Sequence, residues 1–165
     1  MEQIVDTHAH ICDPVFDEDR SEVLERAGDA GITAVIAVGE NLFDARKNID
    51  LAAKHPVLRP AAGLYPTILD GAKADEMHGF IRKERARLFA VGEVGLDFWI
   101  VKGESDKELQ KEIFKGFINL ARELDLPLNV HSRSAGRHAV TLLLECNAAK
   151  VQMHAFDGKA SAALP

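Results

Sequence analysis

The chain has 165 residues, 47% hydrophobic and 28% charged, which suits one buried core and excludes a disordered or fibrous protein. A net charge of -6 excludes a broad basic footprint for duplex DNA, so any nucleic-acid contact is expected to be local. Two cysteines, Cys12 and Cys146, make neither a disulfide framework nor a zinc knuckle, the start MEQIVDTHAH has no signal-peptide core, and no apolar run is long enough to span a bilayer, so no membrane association and a cytoplasmic location are expected.

In chain order, strands are predicted at Ile4–Ile11, Ile32–Gly39, Leu58–Leu64, Leu88–Phe98, Leu126–Arg133 and Lys150–Phe156. Helices are predicted near 17–30, 41–54, 73–87, 106–125 and 135–147. Along the first strand Asp6, His8 and His10 alternate and share a face, so two imidazoles can grip one ion. The third strand ends in Tyr65-Pro66, where the tyrosine either bonds a substrate or packs as a lid residue. The fourth holds Glu93, which is expensive to bury in an apolar, glycine-flanked strand unless it is paired or metal-bound. A salt bridge to Arg133 is the alternative. Asp97, on the same face, orients a histidine or simply ends the strand. The helix over 106–125 carries a capping box, Ser105 with Glu108, and Leu109, Ile113, Phe117, Ala121 and Leu124 at helical spacing. The last two strands bring His131 with Arg133, and His154. Arg133 either holds an anionic substrate oxygen or is a solvated charge. His55, His78 and His138 fall in or beside helices and read as surface residues, and Cys12 reads as a semi-buried thiol.

Strict strand–helix alternation predicts an α/β fold, a single domain over 1–165 with a parallel sheet. Strand starts recur about every 29 residues, so eight units require roughly 234 residues, close to the ~250 of a (β/α)8 barrel. The expectation is a TIM-like barrel, incomplete here, with about six strands and five helices and without the last two βα units. In an open sheet of order 2-1-3-4-5-6 the first and sixth strands lie roughly 19 Å apart, too far to share a metal cluster. In a barrel, all five candidate ligands, His8, His10, Glu93, His131 and His154, meet at the C-terminal mouth of the strands. Such a set points to metal-assisted hydrolysis.

Asp6-Thr7-His8-Ala9-His10, Gly92-Glu93-Val94-Gly95-Leu96-Asp97, His131-Ser132-Arg133 and His154-Ala155-Phe156-Asp157-Gly158 occur in an order that resembles the TatD-type metal-dependent deoxyribonucleases, and Gln110 also looks like a family position. The resemblance covers essentially the whole chain. It implies two divalent ions (zinc, manganese or magnesium), with His8 and His10 on the first, His131 and His154 on the second, and Glu93 bridging them as the catalytic carboxylate. It implies phosphodiester hydrolysis of DNA, as single strands or 3′ ends. The family usually has histidine where this chain has Tyr65, and its final catalytic aspartate, after the seventh strand, is absent here. Little or no catalysis by the 165-residue chain itself is therefore expected, with association to cover open sheet edges. The alternatives are an amide or lactone hydrolase on the same scaffold, or an inactive fragment that still binds metal.

Overall fold

A computed structural model describes residues 4–163. Six strands alternate with helices: β1 (Ile4–Ala9), α1 (Arg20–Asp29), β2 (Ile32–Ala37), α2 (Leu42–Lys54), β3 (Leu58–Ala62), α3 (Gly71–Lys83), β4 (Ala90–Gly95), α4 (Glu104–Glu123), β5 (Leu128–His131), α5 (Gly136–Glu145), β6 (Val151–His154) and α6 (Ala160–Ala163). Short 3-10 turns at Pro14–Phe16 and Arg85–Arg87 complete the set. The sixth helix was not expected, and each strand is shorter than predicted, losing residues at its C-terminal end and, in β4, β5 and β6, at its N-terminal end as well.

All neighbouring strands pair in parallel, in the order β1-β2-β3-β4-β5-β6. Laid flat, β1 and β6 would stand roughly 24 Å apart. Instead the rings of His8 on β1 and His154 on β6 stack in parallel, 3.6 Å between centroids. The sheet therefore curls into a nearly closed TIM-like barrel, incomplete between β1 and β6. Among the described residues, no helix is long and apolar enough to cross a membrane.

Alternation along the strands divides the core. Val35 and Ala37 of β2 pack outward with Leu24 and Leu51 of the first two helices. Ile36 joins Val38, Ala61 and Ala90 in a separate, small cluster on the other face. On β4 the pairing register shifts between Val91 and Val94, so these two valines, three apart, both enter the large core that α4 covers. That irregularity leaves Glu93 on the face that meets the histidines.

Local chemistry starts the helices. Asn41 accepts hydrogen bonds from the Phe43 and Asp44 amides at the head of α2, and Asp70 accepts from Lys73 at the head of α3. The capping box expected at Ser105 does not form: α4 begins earlier, at Glu104 after Gly103, and Glu108 instead pairs with Lys111 at 2.6 Å. Glu104 and Asp106 in the first turn suit the helix dipole without a side-chain cap. The buried face of α4 keeps Phe117 and Ala121 of the expected stripe, with Ile113 and Leu124 partly buried against the core. Gln110, Phe114, Phe117, Ile118, Leu120 and Ala121 are buried, whereas Leu109 is 41% exposed.

Candidate metal centre

The C-terminal ends of β1, β4, β5 and β6 bring His8, Glu93, His131 and His154 together, with His10 just beyond β1. Ligand atoms of His8, His10 and Glu93 lie within 4.8 Å of one another, and so do those of Glu93, His131 and His154. Glu93 belongs to both groups. Its carboxylate is 1% exposed and faces three imidazoles. Oε1 lies 2.8 Å from His131 Nδ1. Oε2 is 3.2 Å from His10 Nε2 and 3.8 Å from His8 Nε2, yet it is aligned for a hydrogen bond with neither and stands as a buried acceptor without a partner. Such an oxygen fits a cation, which would replace its missing hydrogen bond.

The surrounding residues set which ring nitrogens face the centre. The Asn129 amide donates from Nδ2 to the Thr7 carbonyl at 2.7 Å, so its Oδ1 must face His8 Nδ1, also at 2.7 Å. His8 therefore carries its proton on Nδ1 and turns an unprotonated Nε2 inward. Asp97 does the same for His131: Oδ2 sits 3.0 Å from Nε2, which leaves Nδ1 toward Glu93. Hydrogen bonds hold Asp97 in turn, and its partner Gln110 is anchored as well. Oδ1 accepts from the Ile100 amide at 2.8 Å, its backbone amide donates to Gln110 Oε1 at 3.1 Å, and Gln110 Nε2 donates to the Pro66 carbonyl at 2.7 Å.

Glycines let β4 and β5 approach closely enough for these contacts. A Cβ on Gly92 would lie 2.6 Å from the Asn129 Cβ, and one on Gly95, where φ is +143°, would lie 2.1 Å from the His131 carbonyl oxygen.

Electrostatics follow the packing. Burial pushes the Glu93 carboxyl up, but the facing His10, His131 and His8 rings outweigh it and hold the pKa down at about 2. Burial lowers His8 and His154, the latter helped by neighbouring His8. Glu93 raises His10, and for His131 the carboxylates of Glu93 and Asp97 outweigh a lowering by burial.

The other candidates sit as follows. Asp6 is exposed and accepts a hydrogen bond from the His8 backbone amide at 3.0 Å; it touches no ring of the cluster. Tyr65 packs edge-on against His131, 5.2 Å between centroids, and burial pushes its hydroxyl up to about 12. Arg133 is not the partner of Glu93; its guanidinium lies 5.0 Å over the Trp99 ring. Cys12 is buried, its thiol pushed up to about 11 by that burial, which suits a packing role. His78, expected at the surface, packs against Phe117 with a buried, unpartnered Nε2. Asn129 was missed by sequence reasoning, although its alternation with His131 along an apolar strand is a signal of a buried polar pair.

Residues 5–164 match the family described as TatD related DNase. The human deoxyribonuclease TATDN3 is 38% identical over 176 aligned residues, spanning 98% of this chain and 63% of its own length. The 3'-5' ssDNA/RNA exonuclease TatD of Erwinia tasmaniensis is 32% identical over 131 residues, 78% of this chain and 49% of that protein. The crystal structure of YjjV, a TatD homologue from Escherichia coli K12, superposes with a TM-score of 0.85 at 27% identity, covering 97% of this chain and 62% of the other. The chain thus spans less than two thirds of the length of these relatives. A barrel of six parallel strands with histidines and a shared glutamate at its mouth, and a family match over nearly every residue, place this chain in the TatD family of metal-dependent hydrolases.

Proposed function

We propose that this chain carries the metal centre of a divalent-metal-dependent phosphodiesterase acting on DNA, with single strands or 3′ ends as substrate. The observation that carries the reading is the buried Oε2 of Glu93, unpartnered and facing His8 and His10 while Oε1 faces His131. His8 and His10 would hold one cation, His131 and His154 the other, and Glu93 would place one oxygen on each. Bound cations supply Lewis-acid activation of water and neutralise charge on the attacking and leaving oxygens. The low pKa of Glu93 keeps it anionic, and Asn129 and Asp97 keep the correct nitrogens turned toward the centre. An imidazole-rich set suits zinc or manganese, and the carboxylate admits magnesium. The free cysteines Cys12 and Cys146 suit a reducing cytoplasm. A nuclease that works at strand ends needs few phosphate contacts, in keeping with a net charge of -6.

Metal content by native mass spectrometry, together with cleavage of 3′-labelled single-stranded DNA with and without chelator, tests this reading. Two ions per chain and chelator-sensitive shortening, slower than by full-length relatives, are expected. Glu93→Gln should lose metal and cleavage together. Unchanged metal stoichiometry in that variant, or cleavage that ignores chelator, would overturn the assignment.

A further inference from the structure

The loop after β4 presents a surface that the metal centre does not use. Trp99 is 55% exposed and Ile100 57% exposed, although burial of such large apolar side chains is favourable. The exposure is built, not loose. Asp97 accepts the Ile100 amide through Oδ1 and the Val101 amide through its carbonyl, the Phe98 amide donates to the Arg133 carbonyl at 3.0 Å, and Val101 is buried. Cations gather on the ring: Arg133 Cζ lies 5.0 Å and Lys102 Nζ 5.4 Å from its centroid. In a chain of net charge -6, this pairing of an exposed aromatic with two cations selects an anionic, planar partner.

Its position fits that partner. Trp99 follows Asp97 by two residues and Arg133 follows His131 by two, and Asp97 contacts His131 directly. Two residues span at most about 7 Å, so the backbone of Trp99 stands within that reach of Asp97, which contacts the metal-centre residue His131. We propose that Trp99, with Arg133 and Lys102, is a stacking platform for an unpaired nucleobase, the cations facing the phosphates beside it. The platform rests on the nuclease reading above and deepens it, because an unpaired base is free to leave its neighbours and lie on the ring. It selects single-stranded or frayed ends without reading sequence.

Trp99 is the only tryptophan, so its fluorescence reports this position alone. With chelator present, to hold cleavage off, a short oligodeoxyadenylate should quench it. A base-free phosphodiester strand of equal length should not. Trp99→Ala should weaken binding of the labelled oligodeoxyadenylate by about 5- to 150-fold, the range for losing one stacked base, with Trp99→Phe recovering most of it. Melting temperature and metal content of Trp99→Ala should stay at wild-type values, because the ring is exposed and touches no candidate ligand. Equal quenching by the base-free strand, or wild-type affinity in Trp99→Ala, would overturn the platform while leaving the metal centre standing. Base-dependent quenching by a chain that never binds metal would sink the nuclease reading and keep the platform.

Discussion

Asn129 shows how one neutral side chain governs a charged site. Its amide is locked by the Thr7 carbonyl, and that lock decides which nitrogen His8 offers. Asn129→Ala should leave the fold intact but free the His8 ring to rotate and change tautomer. Metal affinity, measured by competition with a chromophoric chelator, is expected to fall 10- to 100-fold, roughly the range for losing such a supporting contact. An unchanged affinity would show that packing alone orients His8. The histidines and Glu93 were legible in the sequence because each is a metal-ligand type closing an apolar run. Asn129 was not, since its partner lies 121 positions away and a neutral amide leaves no charge signature. The destination of Arg133 was equally hidden, because an arginine at a strand end serves a substrate, an acid or an aromatic ring with equal chemical ease.

The helices test the packing argument. In α4, Phe117 is fully buried and Leu109 is 41% exposed. Phe117→Ala should therefore cost about 3–5 kcal/mol in denaturant unfolding, while Leu109→Ala should cost well under ~1 kcal/mol. Similar losses would mean that the helix is rotated toward the face first expected from its apolar spacing. His78 of α3 packs against the same phenylalanine, and burial, helped by Arg82, lowers its pKa from 6.5. The unfolded chain then binds the proton more readily than the folded one. Stability should fall as pH drops below about 6.5 and stop falling only below the folded value. Urea midpoints between pH 7.5 and 5.5 measure this, and His78→Leu should flatten that part of the profile; an unchanged slope would exclude His78 as its source. Spacing revealed that α4 is amphipathic. It misplaced part of the stripe: Leu109 lies outward, while Gln110, Phe114 and Ile118 are buried, the Gln110 amide between the Asp97 and Pro66 loops.

At the level of the molecule, curvature is the decisive property. Among the described residues β1 pairs only with β2 and β6 only with β5, and Ile4, Val5 and Val151 are exposed. Unpaired parallel edges carry open backbone donors and acceptors that template further strands. The 165-residue chain is expected to associate in solution, and sedimentation velocity should show species above monomer mass that grow with concentration. A single monomeric species across a wide concentration range would mean that these edges are protected by their twist or flanking loops.

The α/β class, the strand count and the identity of the five clustered residues could all be read in one dimension, because periodicity and residue chemistry are local properties of a chain. How those residues face one another could not. The stack of His8 on His154 and the His8 tautomer set by Asn129 depend on a sheet that curls until its first strand nears its last, whereas the contact of Asp97 with His131 and the exposed ring of Trp99 depend on packing between neighbouring segments. That curl is the sum of small twists and register shifts between strands, and it exists only when all the strands are packed together.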